Sequence, residues 1–160
     1  MPFLIQFWWF EESFSLVFEG VTSLSVDAKG RIAIPTRYRH ALLAAADGKL
    51  HVTRHYQEDC LLLFPENAWE QFRAKVAQWP QAAAWQRRIV LGNACALDMD
   101  ANTGRILLAP ELREAAAMGK EALLLGNGSH FEIWDKALYT AKEEAARQQP
   151  LPDALQDFVF

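Results

Sequence analysis

The chain has 160 residues, 51% of them hydrophobic, and a formal net charge of −4 at neutral pH. That is enough for one compact domain or two small fused ones around a filled core. No apolar run approaches the ~20 residues of a membrane span, and the acidic balance argues against indiscriminate binding to nucleic acid.

In chain order, the opening "MPFLIQFWWFEESFSL" is apolar but has neither the basic start nor the small-residue cleavage site of a signal peptide, so a cytoplasmic product is expected. "VTSLSVD" alternates like a half-buried strand, a turn at Gly30 follows, and "RIAIP" continues as a second strand. "RYRHALLAA" has helix-forming composition, with Thr36 suited to cap it. "LHVTRHY" and "CLLLF" read as two further strands, and "PENAWEQFRAKVAQ" as an amphipathic helix with Ala68, Trp69, Phe72 and Val76 on one face. Pro80 ends that helix, and "WPQAAAWQRRIVLGN" forms an ordered helical connector to about Gly92. A turn at Gly104, a helix opening at Pro110, strands "EALLLG" and "HFEIW" joined through "GNGSH", and a closing helix come next. The final "PLPDALQDFVF" reads as a loosely held tail, because its prolines stop the helix.

Asp98, Asp100, Asn102 and Gly104 imitate the start of a calcium loop. Such a loop wants glycine sixth and a bidentate carboxylate twelfth; counted from Asp98, Gly104 is seventh and the twelfth residue is Ala109. A turn that uses glycine for positive φ and aspartate to bond its own backbone explains the same residues without an ion. Cys60 and Cys95 are far apart in apolar surroundings and are expected to be inert core thiols, and His51 and His55 lack a third metal ligand. No metal, cofactor or small-molecule substrate is expected.

The chain is written twice. "SVDAKGRIAIPTRYRHAL" lies over "DMDANTGRILLAPELREAA", placing Asp27 on Asp100, Gly30 on Gly104, Arg31 on Arg105, Ile32 on Ile106 and Arg39 on Arg113. "CLLLFPENAW" lies over "HFEIWDKALY". The fold expected is mixed α/β with a mainly β core, two β-β-α-β-β-α units. The copies differ in charge. Residues 20 to 40 hold Lys29, Arg31, Arg37 and Arg39 against Asp27 alone, a balance of +3, whereas residues 98 to 113 hold Arg105 and Arg113 against Asp98, Asp100 and Glu111, a balance of −1.

The segments "VFEG", "SVDAKGRIAIPTRYR", "CLLLFPENAWEQF", "RRIVLGNA", "MDANTGRILLAPELR" and "FEIWD" together resemble the MraZ family of bacterial transcriptional regulators. The resemblance implies two SpoVT-AbrB-type units, each like half of a swapped-hairpin, double-split β-barrel with flanking helices. Unit 1 is expected over residues 21–63, a helical connector over 64–92, unit 2 over 93–136, and the C-terminal helix and tail over 137–160. It also implies a ring of several subunits, associated with the nucleoid, that binds double-stranded DNA at promoter repeats upstream of the division and cell wall gene cluster. Family members commonly begin Met-Phe-x-Gly, so "VFEG" from Val17 marks residues 1–16 as an expected non-native extension. In the second copy the family's Asp-x-x-Gly-Arg turn carries one added residue, "DANTGR".

Arginine's planar fork matches guanine O6 and N7 or a phosphate, and a two-stranded ribbon fits the major groove. Arg31 is therefore the first choice for groove contact, with Lys29 beside it at the turn. Thr36, Arg37 and Arg39 are expected to anchor phosphates at a helix start, Arg105 and Arg113 are weaker counterparts, and Asp27, Gly30, Asp100 and Gly104 shape the turns. Two other readings compete: a ring scaffold that binds only protein, and an enzyme using Asp98 and Asp100. No nucleophile, P-loop or dinucleotide motif accompanies those aspartates.

Overall fold

The computed structural model describes residues 17 to 160, and the expectation for residues 1 to 16 lies outside the described residues. The elements are β1 (Val21–Ser25), β2 (Arg31–Ala33), α1 (Thr36–Ala46), β3 (Lys49–Arg54), β4 (Leu61–Pro65), α2 (Glu66–Ala77), α3 (Ala84–Gly92), β5 (Cys95–Asp98), β6 (Arg105–Leu107), α4 (Pro110–Ala115), β7 (Glu121–Gly126), β8 (Phe131–Asp135), α5 (Lys136–Arg147) and α6 (Asp153–Gln156), with a 3-10 turn at Gln81–Ala83 before α3. The β-β-α-β-β-α order expected from the repeat occurs twice.

The strands do not stay within their own copies. Six form one antiparallel sheet in the order β1-β7-β8-β4-β3-β5, and β2 pairs with β6 in a separate two-stranded ribbon. β1 of the first copy bonds β7 of the second, Val21 opposite Leu125, while β5 of the second bonds β3 of the first, Val52 opposite Cys95. Corresponding residues Ile32 and Ile106 face each other at the centre of the ribbon. In the large sheet, Leu62 and Glu132 do the same on β4 and β8. A pseudo-two-fold axis therefore runs through both pairs. The expected mixed α/β, mainly β fold is present with its hairpins exchanged, and the described residues form two sheets without closing a single hydrogen-bonded barrel.

One expectation changes as a result. β1 and β2 do not make a hairpin ladder with each other: β1 pairs with β7 and β2 with β6. Only the turn joins them, with Gly30 N–H donating to Asp27 O and Asp27 N–H donating to Arg31 O, both at 3.0 Å. The two-stranded ribbon consists of one strand from each copy.

Alternation decides what the sheets bury. Ile32, Ile106, Leu50, Val52, Leu61, Leu63, Leu124 and Ile133 are inaccessible and pack in one core with Phe18, Tyr38 and Phe131. Fully burying each such aliphatic side chain contributes about 1.5–3 kcal/mol. A second cluster confirms the face read on α2: Trp69 and Val76 are buried, Ala68 and Phe72 pack against them, and Val90 of α3 completes the group. "GNGSH" is the hairpin turn expected between β7 and β8, with Asn127 N–H bonded to His130 O at 2.9 Å.

Two local expectations are corrected. Thr36 is the first helical residue and not a cap; Pro35, extended at φ −54° and ψ 142°, holds the cap position, and no side chain caps α1. The side chain that does cap a helix belongs to Asp135, whose Oδ2 accepts the Leu138 N–H at 3.1 Å. Cys60 is buried as expected, and burial pushes its thiol pKa upward, but Cys95 is exposed on β5, one of the two edge strands of the sheet.

Candidate nucleic-acid interface

The turn after β1 is built on one carboxylate. Asp27 Oδ1 accepts the backbone N–H groups of Lys29 (2.9 Å) and Arg31 (2.8 Å), while Oδ2 accepts Arg31 Nε at 2.7 Å. The Arg31 backbone bond, followed by its guanidinium and the Lys29 N–H, holds the Asp27 pKa at about 2. Gly30 closes the turn at φ +85°, a conformation that costs glycine nothing. Lys29 stands exposed at the tip. Arg31 uses Nε for Asp27, which leaves the two terminal nitrogens of its fork for another partner.

The second turn follows the same plan with one added residue. Gly104 N–H bonds back to Asp100 O across four residues rather than three, and Asp100 Oδ1 accepts from Asn102 N–H (2.9 Å) and Thr103 N–H (2.8 Å). Those bonds, Thr103 first, lower the Asp100 pKa. Both fall on Oδ1, as the two backbone bonds to Asp27 do. Arg105 makes no ion pair with Asp100 or with any other carboxylate among the described residues, in contrast to Arg31. Asp98 is exposed at the end of β5.

The β2–β6 ribbon brings the two arginines together. Arg31 faces Leu107 and Ala33 faces Arg105, so all four side chains share the face opposite the buried Ile32 and Ile106. Arg31 and Arg105 are diagonal neighbours, roughly 7–8 Å apart by ladder geometry. Leu107 is 55% exposed between these charges. The sequence reading passed over it, although the alternation of "RIL" places it on the Arg105 face.

Arg39 and Arg113 occupy a different setting. Arg39 Nε donates to Ile34 O at 2.6 Å and Arg113 Nε to Leu108 O at 3.1 Å. Each guanidinium lies against the glycine of the opposite copy. A Cβ at Gly104 would sit 2.1 Å from Arg39 Nε, and one at Gly30 would sit 2.5 Å from Arg113. Alongside them, Ile34 N–H bonds Gly104 O and Leu108 N–H bonds Gly30 O. These two arginines clamp the copies together across the pseudo-axis. Thr36 and Arg37 are exposed at the start of α1. Arg37 reaches back to Thr22 Oγ1 and stacks over the Tyr38 ring at 4.7 Å.

The arrangement presents a basic face on a two-stranded ribbon, with one guanidinium held by a carboxylate and one that makes no ion pair among the described residues. Among the described residues no three His, Cys, Asp or Glu side chains gather as a metal site, and no helix is long and apolar enough to cross a membrane.

Comparison with known proteins agrees with the repeat. The family model described as "MraZ protein, putative antitoxin-like" matches twice, over residues 17–92 and 90–158. The chain is 55% identical over 144 residues to the "Transcriptional regulator MraZ" of Acidovorax sp. (strain JS42), covering 90% of this chain and 100% of the relative. The "Transcriptional regulator MraZ" of Burkholderia cenocepacia (strain HI2424) matches with the same identity and coverage. With both halves matched and the relatives covered along their full length, the chain belongs to the MraZ family.

Proposed function

We propose that the protein is a non-catalytic, DNA-binding transcriptional regulator of the cytoplasm and nucleoid. It assembles as a ring-like homo-oligomer on repeated sites upstream of the division and cell wall gene cluster. The relatives' names support the regulator, and the observation that carries the DNA reading is the outer face of the β2–β6 ribbon, where Arg31 and Arg105 stand side by side with Lys29 nearby.

In this reading Arg31, braced by Asp27, directs its free fork to a base edge or phosphate, and Lys29 adds charge at the turn. Arg105 makes a second, less ordered contact. Thr36 and Arg37 supply phosphate contacts at the start of α1, whereas Arg39 and Arg113 act mainly by holding the ribbon in place. One such face binds weakly; a ring repeats it at fixed spacing, so later contacts become intramolecular.

The test is a gel shift with the DNA immediately upstream of the protein's own gene, at two salt concentrations, for the parent chain, Arg31→Ala and Arg105→Ala. Retention that fades with salt and is weakened by both substitutions supports the proposal; equal retention by all three proteins overturns the ribbon as the reading head.

A further inference from the structure

The repeat extends past the strands. Phe64 lies on Trp134, an offset of 70, and the same offset sets "QWPQAAAWQRRIV" over "QQPLPDALQDFVF", with Pro80 on Pro150, Trp85 on Leu155 and Val90 on Phe160. In the first copy this segment folds back. α3 packs on α2 and β3, Val90 is fully buried with Phe64, Trp69 and Val76, and the Thr53 hydroxyl bonds the Val90 carbonyl. Its counterpart does not fold back: Leu151, Leu155, Phe158, Val159 and Phe160 all stand exposed.

The reason lies in the seat. Phe72 and Val76 of α2 correspond to Lys142 and Ala146 of α5, which line a groove of about 450 Å³ together with Trp134, Tyr139 and three carboxylates, Glu58, Glu132 and Glu143. Lys142 is already engaged there, 3.2 Å from Glu58 and 3.6 Å from Asp59. The 150–160 segment carries Asp153 and Asp157 and no basic residue. An acidic segment is repelled from that acidic seat, and its apolar side chains are left without cover.

A complementary surface exists on the connector. Tyr56, Trp79, Pro80, Ala83 and Gln86 line a hollow of about 270 Å³, floored by the edge-to-face pair Tyr56 and Trp79 with ring centres 5.2 Å apart. Trp85 is 72% exposed on the same connector. Arg88 lies over its ring at 5.0 Å, and Arg87 holds the Trp79 carbonyl at 2.7 Å. Neither arginine has an ion-pair partner among the described residues.

We propose that residues 150–160 of one copy dock in the Tyr56, Trp79 and Pro80 hollow of a second copy, apolar side chains inward and Asp153 and Asp157 toward Arg87 and Arg88. Each copy then offers one segment and one groove. Such head-to-tail contacts add copies in one direction and close into a ring where the rotation permits. The inference rests on the part of the proposed function that assembles the chain with itself. It is tested by mass in the absence of DNA, so its failure is distinguishable from loss of DNA binding.

The experiment uses three full-length proteins in sedimentation velocity: the parent, a segment variant (Leu155→Ser with Phe158→Ser) and a groove variant (Arg88→Glu). All three substituted side chains are exposed, and thermal melts check that folding is kept. The parent is expected to sediment at a multiple of the chain mass and each variant at one chain mass. An equimolar mixture of the two variants is expected to form a two-chain complex, because each supplies the half that the other lacks. In addition, Asp157→Arg added to the groove variant should restore assembly. A single-chain parent, a variant that keeps the parent's mass, or a mixture that fails to pair overturns the proposal. The first of those outcomes would assign the segment to its own chain or to an unrelated partner.

Discussion

Arg31 and Arg105 stand diagonally on one face of a two-stranded ribbon, yet among the described residues only Arg31 has a carboxylate to hold it. In the second turn, one residue longer, Asp100 accepts the N–H groups of Asn102 and Thr103 and makes no ion pair with Arg105. Two residues that the repeat makes equivalent therefore differ in order while sharing a surface, and the experiments below exploit that difference.

Asp27→Asn separates positioning from charge. Removing a negative charge should raise affinity for DNA of any sequence, but releasing Arg31 restores rotamer freedom worth about 0.5–1.5 kcal/mol, so the ratio of promoter to scrambled-DNA affinity should fall roughly 2- to 10-fold. Competition binding at fixed salt measures the ratio. A ratio that is unchanged or higher would show that Asp27 does not position a reading side chain.

Arg31→Ala should cost about 1–3 kcal/mol of promoter binding if its fork makes a bidentate contact. Because Arg105 shares the face but pays for its own ordering, Arg105→Ala should weaken binding less. Equal losses would mean that bracing is irrelevant.

Arg39→Ala and Arg113→Ala should act on stability first. Each removes a charged hydrogen bond to a backbone carbonyl, worth about 1.5–3 kcal/mol, together with the clamp on the opposite glycine. Melting should fall by several degrees in both variants while the salt dependence of DNA binding stays close to the parent's. The reverse pattern, an unchanged melt and a slope lower by about one, would return Arg39 to the phosphate contacts expected from the sequence.

Acid should loosen the first turn within a defined window. The folded Asp27 pKa, about 2, lies below the ordinary 3.8, so this carboxylate's contribution is fully present above about pH 4 and is lost as pH falls toward 2. Asp27→Asn should flatten that part of the profile. Thermal melts of both proteins from pH 5 to pH 2 supply the comparison, and parallel profiles would mean that the bonds to Arg31 and Lys29 do not stabilise the fold.

The turns were legible because the bonds that shape them are local: Asp27 and Asp100 accept from residues two to four places on, and the N–H groups of Gly30 and Gly104 bond back to Asp27 and Asp100. Likewise the apolar face of α2 followed from helical spacing alone. Strand partners were not legible, since alternation fixes which face of β1 is buried and says nothing about whether its edge will meet β2 or β7. The setting of Arg39 escaped for a related reason. On its own helix it looks like a solvated cation, and only the exchange of strands brings Gly104 against it. Cys95 was misplaced because an apolar neighbourhood in sequence does not by itself bury a residue, and on the edge strand β5 it stands exposed.

The exchange of strands also dictates an order of events during synthesis. Neither copy contains a complete sheet: Val21 waits for Leu125, Ile32 for Ile106, and the outer edge of β3 for β5. A chain emerging from the ribosome therefore cannot complete its first half until most of the second has been made, and folding that depends on such distant pairings is slow. Throughout that interval the bare edge of β3 and the apolar side of β2 are open to the same strands of a neighbouring nascent chain. Joining both copies through the connector keeps the correct partner tethered nearby, which favours pairing within the molecule over entanglement between molecules.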